Sequence, residues 1–78
     1  MQKERIEHIL DLSGQLIAYP TLEPLMALNE MSAGEVLEVI TDNSPTCTNI
    51  AYYMRKLGYS CQMTNGNASK YRLLIQKN

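Results

Sequence analysis

Among its 78 residues the chain has no tryptophan and no phenylalanine, only two cysteines, one histidine and three prolines. Without the largest apolar aromatics, a core must be built from Leu, Ile, Val, Met and Tyr. Two cysteines, Cys47 and Cys61, do not make a disulfide framework. With the single His8 they supply too few ligands, at the wrong spacing, for a structural zinc site. No metal and no cofactor is therefore expected, and both thiols read as small buried hydrophobes. Charge bias is also missing. Seven basic against eight acidic groups leave a net charge of -1, which exerts no long-range pull on polyanions, so nucleic acid is not an expected partner. Long apolar runs are absent too: the longest fall far short of the roughly 20 residues that span a bilayer. The polar start "MQKERIEH" fits neither a signal peptide nor a lipidation motif. A cytoplasmic protein without membrane contact is expected.

What is present is the composition of one small globular domain, residues 1–78, with 45% hydrophobic residues. A chain of this size buries only about 60% of its unfolded surface, enough for a single core layer and one site at most. Arg5 to Leu12 places Ile6, His8, Leu10 and Leu12 on one face by period two, with Ile9 on the other, which suits a strand ended by Ser13-Gly14. In "TLEPLMALNEM", Leu22, Leu25, Met26, Leu28, Asn29 and Met31 recur mainly at three and four residue intervals, the mark of a helix with one buried face. Pro24 belongs in its first turn, where donors lack helical partners anyway, so the helix should start near Thr21. Glu35 to Asp42, dense in Val, Ile and Leu, reads as a central strand. In "NSPTCTNIAYYMRKLGY" Ser44 is the expected N-cap and Pro45 the first helical residue. Arg55 and Lys56 fall in the last turn, and Gly58 just past it. Cys47, Ile50, Ala51, Met54 and Leu57 form its expected buried stripe. Strands follow at Tyr59 to Thr64 and Tyr71 to Lys77, joined through Asn65-Gly66, a dipeptide that accepts positive φ readily. The fold class is α+β: a two-layer α/β sandwich in the order β-α-β-α-β-β, with a mixed four-stranded sheet and both helices on one face.

Three features carry a resemblance in this order and spacing. They are Asp11-x-x-Gly14 followed by a turn and a proline, "GEVLEVITDNSPTCTNI" from Gly34 to Ile50, and "YRLLIQK" from Tyr71 to Lys77. Together they resemble the TusA/SirA sulfur-carrier family, in particular its YedF-like branch, over nearly the whole chain. The resemblance implies a carrier that passes sulfur between enzymes as a persulfide on the cysteine of a Cys-Pro-x-Pro motif directly after Asp-x-x-Gly. Aligned to that motif, Ile17 stands at the cysteine position and Ala18 at the first proline, while Tyr19 and Pro20 keep the pattern. A thiol there would gain from the unpaired N–H groups and positive dipole end of a helix N-terminus; Ile17 gains nothing from either. Asp11, Gly14, Ile17, Ala18, Tyr19 and Pro20 thus form the candidate binding turn. Asp11 ties down the backbone, and the apolar residues offer a surface for another protein, a sulfurtransferase or redox partner.

Three functions remain open. The first is a family member without the motif cysteine, acting as a non-catalytic binding or regulatory module in sulfur metabolism. The second is sulfur transfer through Cys47, expected at the third position of the second helix, within the first turn where the dipole acts. Its register with Ile50 and Met54 argues instead for burial and a raised pKa. The third is RNA binding by Arg55, Lys56, Lys70 and Arg72, should they cluster at one end, a reading by analogy of fold. No Ser/His/Asp or paired-carboxylate arrangement points to an enzyme, and the family resemblance meets Ile17 where the nucleophile should be.

Overall fold

A computed structural model describes residues 6–14, 19, 21–65 and 70–78. Alternating or dense apolar runs form the four strands β1 (Ile6–Asp11), β2 (Val36–Thr41), β3 (Ser60–Asn65) and β4 (Tyr71–Gln76). The two runs with helical spacing form α1 (Leu22–Asn29) and α2 (Ser44–Lys56). The strands lie in the order β1-β2-β4-β3. β1 is parallel to β2, whereas β4 runs antiparallel to both β2 and β3. Leu37 and Val39 of β2 and Leu73 and Ile75 of β4 share one face. There they form a single core with Leu28 and Met31 from the α1 side and Cys47, Ile50, Ala51 and Met54 of α2. Both helices therefore cover the same face of a mixed sheet, the two-layer sandwich expected from the order of the elements.

Pro24 occupies the third position of α1, after the N-cap residue Thr21. The first helical bond is donated by the next residue, Leu25, to the Thr21 carbonyl at 3.1 Å, so the proline removes no helical hydrogen bond. The buried face of α1 is narrower than its periodicity predicts. Pro24 and Leu28 are buried, but Leu22 and Met26 face outward, because an eight-residue helix over a small sheet has only one strip in contact with it.

The start of α2 corrects the sequence reading by one residue. Asn43, not Ser44, is the N-cap: its backbone is extended, and its Oδ1 accepts from the Thr46 N–H at 3.0 Å. Ser44 is already helical and Pro45 is second. At the other end the N–H groups of Gly58 and Tyr59 donate to the carbonyls of Arg55 and Met54. That closing turn requires the positive φ of Gly58, +95°. Leu57 is the C-cap and is 56% exposed, so it leaves the predicted stripe. Replacing Asn43 by alanine removes the cap acceptor, and the midpoint of urea unfolding should fall by the equivalent of about 1 kcal/mol, with Ser44→Ala nearly neutral.

On β1, Leu10 and Leu12 reach the core while His8 is exposed. β1 is a sheet edge, and His8 instead meets Glu35 (Nε2 to Oε1, 3.3 Å). The Ile6 side chain lies outside the described residues. The β3–β4 pairing confirms the hairpin: Asn65 is itself a paired residue, opposite Tyr71, and Gly66 lies outside the described residues.

Candidate functional site

Because β1 and β2 are parallel, the segments leaving both strands emerge at one end of the sheet, where antiparallel β4 begins. Three segments distant in sequence meet there. The Leu12 N–H continues the sheet ladder to the Ile40 carbonyl at 2.7 Å. Asp11 Oδ1 then accepts from the Ser13 N–H at 2.9 Å, and Asp42 Oδ2 accepts from the Gly14 N–H at 3.1 Å. Lys70, just before β4, donates from Nζ to Ser13 Oγ at 2.9 Å. Gly14 has a φ of +74°, a left-handed conformation that a side chain would strain. The turn is thereby clamped by two carboxylates and a cation.

The electrostatics follow from those bonds. The hydrogen bonds from Ser13, first its backbone and then its side chain, hold the Asp11 carboxyl below the ordinary carboxylate range, with a further contribution from the Lys70 charge. Asp11 is an acceptor within the turn, and Ser13 Oγ accepts from the Lys70 amine.

Of the six turn residues singled out from the sequence, Asp11 and Gly14 are brought together. Tyr19 is 74% exposed, and its carbonyl accepts from the Leu22 N–H at 3.1 Å. Ile17, Ala18 and Pro20 lie outside the described residues. Asp42 and Lys70 are anchors that sequence reasoning missed. Asp42 read as the end of a strand and Lys70 as a loop cation, and no local pattern links either to Gly14. Beyond Tyr19, the outward side chains of α1, Leu22 and Met26, continue an apolar surface.

Cys47 sits at the fourth helical position of α2, not the third, since Asn43 is the cap. It is 1% exposed, and burial pushes its thiol pKa up. Cys61, half-buried on β3, is also raised by burial, with the nearby Arg55 charge opposing the shift. Neither carries the depressed pKa that marks a reactive thiol.

The four cations do not form one cluster: Arg55 and Lys56 share the last turn of α2, and Lys70 and Arg72 lie apart from them. Arg55 Nη2 donates to the Cys61 carbonyl, Lys56 lies 5.3 Å from the Tyr52 ring centroid, and Lys70 holds Ser13 at the other end of the sheet. Arg72 pairs with Glu38 on the face away from the helices. Among the described residues no group of three or more His, Cys, Asp or Glu could hold a metal ion, and no helix is long and apolar enough to cross a membrane.

The β-α-β-α-β-β sandwich is a fold found in a solved SirA-like protein. The crystal structure of a SirA-like protein from Desulfitobacterium hafniense superposes with a TM-score of 0.79 over 88% of this chain and 95% of that one, at 24% identity, a likeness of fold. The profile of the family "Sulfurtransferase TusA" matches residues 8–77. A candidate sulfur carrier protein of Methanocaldococcus jannaschii is 34% identical over 68 residues, covering 87% of this chain and 91% of the relative. The candidate sulfur carrier protein YedF of Escherichia coli K12 is 32% identical over 71 residues, covering 91% and 92%. The chain belongs to the TusA family of sulfur carriers.

Proposed function

We propose that this chain is a non-catalytic member of the sulfur-carrier family, a one-domain binding or regulatory module that occupies a sulfurtransferase or redox partner without accepting its sulfur. The observation that carries the reading is the state of the thiols: Ile17 aligns with the family's cysteine, and the one cysteine near a helix start, Cys47, is buried with a raised pKa. Sulfur transfer requires a thiolate that can reach the terminal sulfur of a donor persulfide, and a neutral, covered thiol meets neither condition.

The docking element is the clamped turn together with the exposed Tyr19, Leu22 and Met26. Hydrogen bonds to Asp11 and Asp42 and from Lys70 fix Ser13 and Gly14, where the docking element begins. Competition with a carrier that does hold the cysteine is the regulatory consequence.

Incubation of the purified chain with a cysteine desulfurase and L-cysteine, followed by intact-mass measurement, should show the unmodified mass. A stoichiometric adduct of about 32 Da, one persulfide sulfur, that reductant removes would end the non-catalytic reading. Its loss in Cys47→Ser would then assign the carrier role to Cys47.

A further inference from the structure

The sheet has two edges, and they are not alike. β1 carries the charged residue Asp11, and its register with β2 is interrupted between Ile6 and His8. These are the devices by which proteins keep an edge from accepting another strand. β3, "SCQMTN", has none of them: six residues without a charge or a proline, in unbroken register with β4. Among the described residues β4 is its one neighbour, so its outer row of N–H and C=O groups faces no strand; of that row the Cys61 carbonyl accepts from Arg55.

Beside that edge, on the helix side, lies a groove of about 400 Å³ lined by Thr48, Ala51, Tyr52, Arg55, Lys56 and Met63. Ala51 and Met63 make an apolar floor. Tyr52 forms a wall, with the Lys56 ammonium over its ring. Arg55 is anchored through Nη2 to the Cys61 carbonyl of β3 itself, which holds its charge at the strand. Both charged residues of the lining are cations. Met63 points to the same side as Cys61, so alternate side chains of a strand added to β3 would enter this groove.

We propose that the β3 edge and the α2 groove take up an extended, acidic segment of a partner protein as a fifth strand. The backbone of the segment pairs with β3, an apolar side chain fills the floor over Met63, and carboxylates meet Arg55 and Lys56. Charge complementarity selects this occupant over a second copy. The β3 edge of a second copy would bring no carboxylate to Arg55 and Lys56, since neither that strand nor the groove lining holds one. The proposal is independent of sulfur chemistry, and its surface is separate from the clamped turn.

The test uses the full chain and a panel of fluorescein-labelled heptapeptides that alternate Thr with Glu, Asp, Leu or Phe, against the same panel with Lys in place of the acids. Fluorescence anisotropy should show saturable binding of acidic members, about tenfold weaker for their Lys counterparts and for the R55E/K56E variant. The milder R55Q/K56Q variant should shift the same way. N-methylation of the peptide amides that face β3 should abolish binding. Absence of saturable binding across the acidic panel, equal binding of the Lys peptides, or undiminished binding after N-methylation overturns the proposal. So does a dimer in sedimentation equilibrium that Met63→Lys dissociates, which would give the edge to a second copy.

Discussion

Ile17→Cys is expected to convert a chain that takes no sulfur from a cysteine desulfurase into one that takes a single atom per molecule. Under the proposed function Ile17 stands at the position of the family's carrier cysteine, and the substitution supplies the sulfur atom the transfer needs. The new thiolate attacks the terminal sulfur of the desulfurase persulfide, that S–S bond breaks, and the desulfurase cysteine leaves as a thiolate. Neither native thiol competes: Cys47 is covered and Cys61 is half-covered, both with pKa values raised by burial. Intact mass should rise by about 32 Da and return after reductant. Cys47→Ser in the same background should leave the adduct in place, because Cys47 is a core residue and not a relay. An I17C chain that stays unlabelled would show that the turn has lost more than its cysteine, and the docking half of the proposed function would fall with it.

Arg72→Met is expected to lower stability by about 2 kcal/mol, roughly 10 °C in melting temperature for a domain of this size. Glu38 is a buried carboxylate, 2% exposed, on the face of the sheet away from the helices, and its partner is Arg72. Its neighbours across the ladder are Ile9 and Leu74, and those of Arg72 are Ile40 and Thr64. Removing the guanidinium leaves the charge among hydrocarbon. The cost sits at the low end for a broken pair because the Arg72 side chain is 44% exposed, so water can approach the vacated position. The double variant Glu38→Leu, Arg72→Met should recover all but about 1 kcal/mol, since an apolar pair suits those neighbours. Thermal unfolding of the four proteins completes the cycle. A loss no smaller in the double variant than in R72M alone would show that packing by the arginine stem, and not the unpaired carboxylate, sets the cost.

Much of this protein was legible in its sequence because the relevant signals are local. Element type and order followed from periodicity, and strand and hairpin boundaries moved by one residue or so. Pro24 read correctly as a first-turn residue because the helix bond pattern depends only on nearby positions. The N-cap of α2 moved from Ser44 to Asn43 because adjacent residues are both good caps, and only backbone angles separate the one that is extended from the one that is helical. Leu22, Met26 and Leu57 kept helical spacing with the core yet face outward. Periodicity describes a face but not how much of it the sheet covers.

By itself the sequence determined the fold and the family, since each rests on residue identity and spacing along the chain. Tertiary structure alone decided that Asp42 and Lys70 clamp the turn at Ser13 and Gly14, and that Lys70 and Arg72 stand apart from Arg55 and Lys56. Those outcomes depend on which strands lie side by side, and a hydrogen bond between residues 28 or 57 positions apart leaves no trace in either neighbourhood until the sheet closes.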